Sequence, residues 1–249
     1  MLHNPCAFPL TLLLQGFHNL RSFPKEECHN IVDPALTEYG KGQCALLRST
    51  FPYMHKITHI VCSPMSRTLE TAPLSFQPLL ERLQIMAWPD LRENGSSNAS
   101  KGSFLEFLKS TYANSPVDFS LVPDGRELQM DDSRNARIAR SRRVKKDLVE
   151  LIQQAAKTNS NDQWKGLPIR GCESSSDDIE ILVVSHSNFL KDLTNGRGFW
   201  PTEFRTFELA GMSNVELGEA NTPEDLIETK ESKERHLNGL EKPDSAPFQ

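Results

Sequence analysis

Three stretches of the chain hold residue types that could do chemistry. Ser63-Pro64-Met65-Ser66-Arg67 ends in a guanidinium, His186 follows directly on an unbroken apolar run, and Glu93 closes Pro89-Asp90-Leu91-Arg92-Glu93. An arginine grips anions through a planar fork of donors, an imidazole titrates near neutral pH, and a carboxyl group can give or take a proton. Each residue alone also fits a plainer role: Arg67 at an exposed helix start, His186 as a buried histidine satisfied by backbone, Glu93 as a surface acid. A fourth stretch, Gln15-Gly16-Phe17-His18-Asn19, follows the leucine-rich run 10–14. A strand that breaks into a glycine turn is a common place for chemistry in α/β proteins.

The elements that must position these residues alternate strand with helix. Residues 10–14 read as a first buried strand. Thr37 suits the N-cap of a helix with apolar or small residues at Cys44, Ala45, Leu46 and Leu47, ending at about Phe51. Residues 57–62 are rich in β-branched side chains and close at Ser63-Pro64, which predicts a second strand. From Ser66 onward, Leu69, Ala72, Phe76, Leu79 and Leu83 recur at helical spacing, with disturbances expected at Pro73 and Pro78. Residues 84–88, stopped by Pro89, read as another short strand, and 94–102 as an exposed loop.

Residues 134–156 carry Ile138, Val144, Leu148, Leu151 and Ile152 among many Arg and Lys, which predicts a long amphipathic helix with a basic, solvated outer face. The segment 159–178 is rich in Ser, Asn, Gly and Asp and is expected to be a flexible surface insertion. Residues 179–185 form the clearest buried strand. Beyond about Gly218, Glu, Lys, Asn and Pro dominate, so a disordered tail is expected over 218–249. This alternation indicates an α/β domain with a mostly parallel central sheet and helices on both faces. Ligands of such sheets collect at the carboxyl ends of the strands, where Gln15, Gly16, Ser63, Arg67 and His186 fall.

Composition excludes several classes. The 249 residues are 37% hydrophobic and 24% charged, enough to bury a core and too apolar for a disordered chain. With a net charge of -5 and a pI near 5.8, the chain lacks the clustered cations of a dedicated nucleic-acid binder, though a local basic pocket for a small anion is compatible with it. Five cysteines stand at irregular spacing, none two residues apart as in metal knuckles or redox pairs, which fits reduced cytosolic thiols. No run reaches eighteen apolar residues, so no membrane span is expected. Residues 1–14 lack the basic start and small-residue cleavage site of a secretory leader, so the expected location is the cytoplasm.

Taken together, Ser63-Pro64-x-x-Arg67-x-x-x-Thr71-Ala72 and Val184-Ser185-His186 resemble the histidine phosphatase superfamily, in its phosphoglycerate mutase-like branch. Leu36-Thr37-x-x-Gly40-x-x-Gln43 matches the segment after the family's first motif, and Leu91-x-Glu93 the position of its acid. Gln15-Gly16-Phe17-His18-Asn19 looks like the tail of the first motif in fungal and plant members, and Glu203 like their late segment. The likeness runs from about residue 15 to 209, so 16–217 is expected to be a phosphoglycerate mutase-like domain, a three-layer sandwich. The resemblance implies phosphate monoester hydrolysis or transfer on a small phosphorylated or anionic metabolite, without metal or other cofactor. Carried over, Arg67 and His186 would hold phosphate oxygens, with Gln15 beside them, and Glu93 would protonate the leaving oxygen. Glu93 and His186 are thus the expected catalytic residues.

The chain departs from the pattern at the first motif. The family's Arg-His pair, whose histidine attacks phosphorus, is replaced by Leu12-Leu13. A leucine can neither attack phosphorus nor bind an oxyanion. Three explanations follow. The protein is a noncatalytic, anion-binding relative; or its pocket serves acid/base chemistry on another substrate, as in a small-molecule biosynthetic pathway; or residues 1–15 are a translated intron end. The last fits because residues 8–15 can be encoded by pyrimidine-rich codons ending in CAG.

Overall fold

A computed structural model describes residues 31–124, 131–156, 163–169, 179–209 and 226–237, together with the backbone of 9–14. Gln15, Gly16 and His18, and the tail segments 218–225 and 238–249, lie outside the described residues. The strands are β1 (Pro9–Leu14), β2 (His59–Cys62), β3 (Ile85–Ala87), β4 (Val117–Asp118), β5 (Gln163–Trp164), β6 (Leu167–Pro168), β7 (Ile181–Ser185), β8 (Phe204–Leu209) and β9 (Leu226–Glu228). The α-helices are α1 (Glu38–Thr50), α2 (Ser66–Phe76), α3 (Leu105–Thr111), α4 (Arg134–Ala155), α5 (Ser187–Thr194) and α6 (Lys230–Leu237).

Seven strands form one sheet in the order β4-β3-β2-β7-β1-β8-β9. The pairs β4-β3, β3-β2, β2-β7 and β7-β1 are parallel, and β8 and β9 close one side antiparallel. The central strand β7 explains the three layers. Its alternate side chains go to opposite faces, Ile181 and Val183 into one core with Leu148, Leu151, Ile152 and Phe189, and Leu182 and Val184 into another with Leu47, Leu69, Phe76 and Leu108. Helices α4 and α5 cover the first face and α1, α2 and α3 the second.

Local rules account for the helix ends. Thr37 caps α1, its Oγ1 accepting from the Gly40 amide at 3.1 Å. Helix α2 tolerates Pro73 and then tightens into a 3-10 turn over Gln77–Glu81, where Pro78 stands.

Several expectations are corrected. The outer face of α4 is not wholly solvated, since Arg140 and Lys145 are buried. The loop 94–102 is not simply exposed, because Asn94, Ala99 and Ser100 are buried. Within 159–178, residues 163–168 form the β5-β6 hairpin, anchored by a fully buried Trp164 whose Nε1 donates to Asp147 O at 2.9 Å. Residues 226–237, expected to lie in a disordered tail, add an edge strand and a helix. Leu226 supplies the apolar anchor and Thr229 N donates to Thr206 O at 2.9 Å.

Candidate active site

The register of the parallel strands sets where the polar groups meet. Cys62 lies opposite Val184, so the next residues, Ser63 and then Ser185 and His186, emerge together at the carboxyl ends of β2 and β7. Ser63 Oγ stands 2.8 Å from His186 Nε2, and both residues are buried. Helix α2 begins three residues after Ser63 and α5 directly after His186, and their amino-terminal amides favour negative charge at this end of the sheet.

Carboxylates meet both helix starts. Asp33, in a left-handed conformation with φ 45°, accepts from Ser66 N at 2.9 Å and from Ser66 Oγ at 2.8 Å. Glu93 Oε1 accepts from Phe189 N at 3.1 Å and from Asn94 N at 2.8 Å. Sequence reasoning missed Asp33, whose partner Ser66 lies 33 residues further along the chain, so no local pattern marks it.

Arg67 occupies the first turn of α2 and is buried, its Nη1 donating to Ala99 O at 2.9 Å. Burial lowers its pKa, an effect opposed by the charges of Glu93 and Asp33. For Glu93, burial pushes the carboxyl above its ordinary range, and this outweighs the Asn94 amide, the Arg67 charge and the amides of α5, which all favour the carboxylate. A carboxyl whose pKa is raised in this way is suited to donate. His186 is held well below its ordinary value, first by burial and then by the charges of Arg67, Arg140 and Arg92, so its imidazole is neutral.

Arg67, Glu93 and His186, singled out in the sequence, are thus brought together, and Gln15 lies outside the described residues. Sequence reasoning missed a second group behind them. Asn94 Nδ2 donates to Asp192 Oδ2 at 2.7 Å and to Asn188 O at 3.3 Å, and its Oδ1 accepts from Arg140 Nη2. The Arg140 guanidinium lies 5.0 Å from the Phe189 ring centroid, and burial, aided by the Arg92 charge, pulls it down to about 10. Asn94 therefore ties the residue after Glu93 to both α4 and α5. No group of three or more His, Cys, Asp or Glu suited to a metal occurs among the described residues.

The profile of the histidine phosphatase superfamily, branch 1, matches residues 24–156, more than half of the chain. The chain belongs to the histidine phosphatase superfamily. Solved structures of similar fold include the ecdysone phosphate phosphatase from Bombix mori in complex with tungstate, at 14% identity and a TM-score of 0.52, covering 86% of this chain and 96% of that one. Another is mycobacterial hydrolase 1, at 16% identity and a TM-score of 0.50, covering 90% and 96%. A phosphoserine phosphatase mutant from Entamoeba histolytica in complex with phosphoserine matches at 19% identity and a TM-score of 0.46, covering 82% and 92%. No curated protein sequence matches this chain. In this member of the superfamily, Leu12 and Leu13 lie in β1, where Leu13 is opposite Val184 of β7 and Phe204 of β8. None of the described helices is long and apolar enough to cross a membrane.

Proposed function

We propose that this histidine phosphatase binds and hydrolyses phosphate monoesters of small organic molecules at Arg67, Glu93 and His186, with Gln15 as a further phosphate ligand. The observation that carries the reading is the convergence of a buried guanidinium, a neutral imidazole and a carboxyl with raised pKa at the carboxyl ends of neighbouring strands. Arg67 grips the nonbridging oxygens and neutralises their charge, and His186 donates or accepts a hydrogen bond beside them. Glu93 gives its proton to the leaving alkoxide, which departs poorly without one. The chemistry asks for no metal. By name, the Bombix mori relative acts on a phosphate ester of a small organic molecule, and the same substrate class suits this site.

The leucines at positions 12 and 13 favour a second reading, an anion-binding relative without turnover. Hydrolysis of p-nitrophenyl phosphate between acid and neutral pH, measured beside the shift in Tm with orthovanadate, separates the two. Turnover supports the phosphatase. Stabilisation by vanadate without turnover supports the binding protein, and neither effect contradicts both.

A further inference from the structure

We propose that Ser63 is the nucleophile of this site and His186 the base that takes its proton. The assignment rests on the phosphatase reading above. The residue at the family's attacking position is Leu13, which has no nucleophilic atom, so hydrolysis through a covalent intermediate needs another group. Ser63 Oγ, 2.8 Å from His186 Nε2, has the separation of a hydroxyl and its activating base. The pair is fixed by backbone on both sides. Ser63 N donates to Val184 O at 2.9 Å, and Ser63 O accepts from Thr68 Oγ1 at 2.9 Å, leaving the side chain as the part that turns.

The surroundings fit the role. A neutral imidazole can accept a proton where an imidazolium cannot, and burial with Arg67, Arg140 and Arg92 facing it keeps His186 neutral. When a phosphate dianion enters, its charge opposes those of the arginines and strengthens His186 as a base at the moment it is needed.

The reaction balances. Ser63 Oγ attacks phosphorus, forming an Oγ–P bond while the P–O bond to the leaving group breaks. The hydroxyl proton passes to His186 Nε2, and the Glu93 carboxyl proton goes to the departing oxygen. A water then attacks the phosphoserine, giving one proton to the Glu93 carboxylate. The Oγ–P bond breaks, Ser63 recovers its proton from His186, and inorganic phosphate leaves.

The test is acid quench of the full-length protein during turnover of p-nitrophenyl phosphate, followed by peptide mass spectrometry, with Ser63→Ala measured in parallel. A phosphoserine ester survives acid, whereas a phosphohistidine does not. The expected result is acid-stable phosphate on the peptide holding Ser63, with kcat falling at least ~100-fold in Ser63→Ala while orthovanadate still raises its Tm. Turnover in Ser63→Ala within about threefold of the unchanged protein, or an acid-labile intermediate on a histidine, overturns the assignment and leaves the phosphatase reading standing. Vanadate binding without any hydrolysis by the unchanged protein removes Ser63 as nucleophile and leaves the anion-binding reading. If there is neither hydrolysis nor vanadate binding, both the assignment and the phosphatase reading fall.

Discussion

Glu93 is a structural cap that the proposed reaction also makes a proton donor. Its Oε1 satisfies the Phe189 and Asn94 amides, yet burial still raises its pKa above the ordinary value of about 4.3. Since the protonated form is the working one, kcat/KM for an alkyl phosphate should be flat at low pH and fall as pH rises through that raised value. Glu93→Gln should abolish this limb and lower turnover of alkyl phosphates by about 100-fold or more, with a much smaller loss on p-nitrophenyl phosphate, whose leaving group needs no proton. Equal losses on both esters would remove Glu93 as the acid. At this scale the sequence was informative where a residue stands out by its own type and its place after a strand, as with Arg67, Glu93 and His186, which the fold brings near one another. It was silent on Asn94 and Asp33, whose importance comes from partners far away in the chain.

Helix α4 illustrates why an element's pattern can mislead. Its many Arg and Lys read as a solvated face, yet Arg140 is buried between Asn94 and the Phe189 ring. Periodicity records which positions share a face; it does not record that a loop and a second helix will cover that face. Replacing Arg140 with Ala leaves Asn94 Oδ1 without its donor and removes the ring contact, while relieving repulsion from Arg92. The net cost should be roughly 2–3 kcal/mol, or a fall in Tm of about 5–10 °C. An unchanged Tm would show that Arg140 does not secure the Glu93 loop. Other elements were plain in the sequence because local chemistry suffices for them: the Thr37 cap of α1, the proline-tightened end of α2, and the β-branched strand β2. The β5-β6 hairpin was hidden, since two-residue strands carry no period and only the burial of Trp164 reveals the anchor.

Across the whole molecule, the antiparallel edge is closed by residues that composition alone assigned to a tail. Arg235 lies 4.6 Å from the Phe204 ring centroid and 5.6 Å from that of Tyr53, and its Nη1 donates to Tyr53 Oη at 2.8 Å, while Leu226 is buried beside β8. Besides the β8-β9 ladder, the side-chain anchors of residues 226–237 include a single buried leucine and one guanidinium, a signal too sparse for composition to carry. Ending the chain at residue 225 should cost roughly 2–4 kcal/mol from the lost leucine burial and cation–π contacts, measured by urea denaturation. A chain ending there with undiminished stability would show that the edge needs no cover. The central claim, that β2, β3 and β7 end in a phosphate site centred on Arg67, is tested most directly by calorimetric titration with orthovanadate. The unchanged protein should bind one vanadate per chain, and Arg67→Ala should bind about 10–100-fold more weakly for the loss of its charge-assisted hydrogen bonds. No binding by the unchanged protein, or equal affinity in Arg67→Ala, would contradict it.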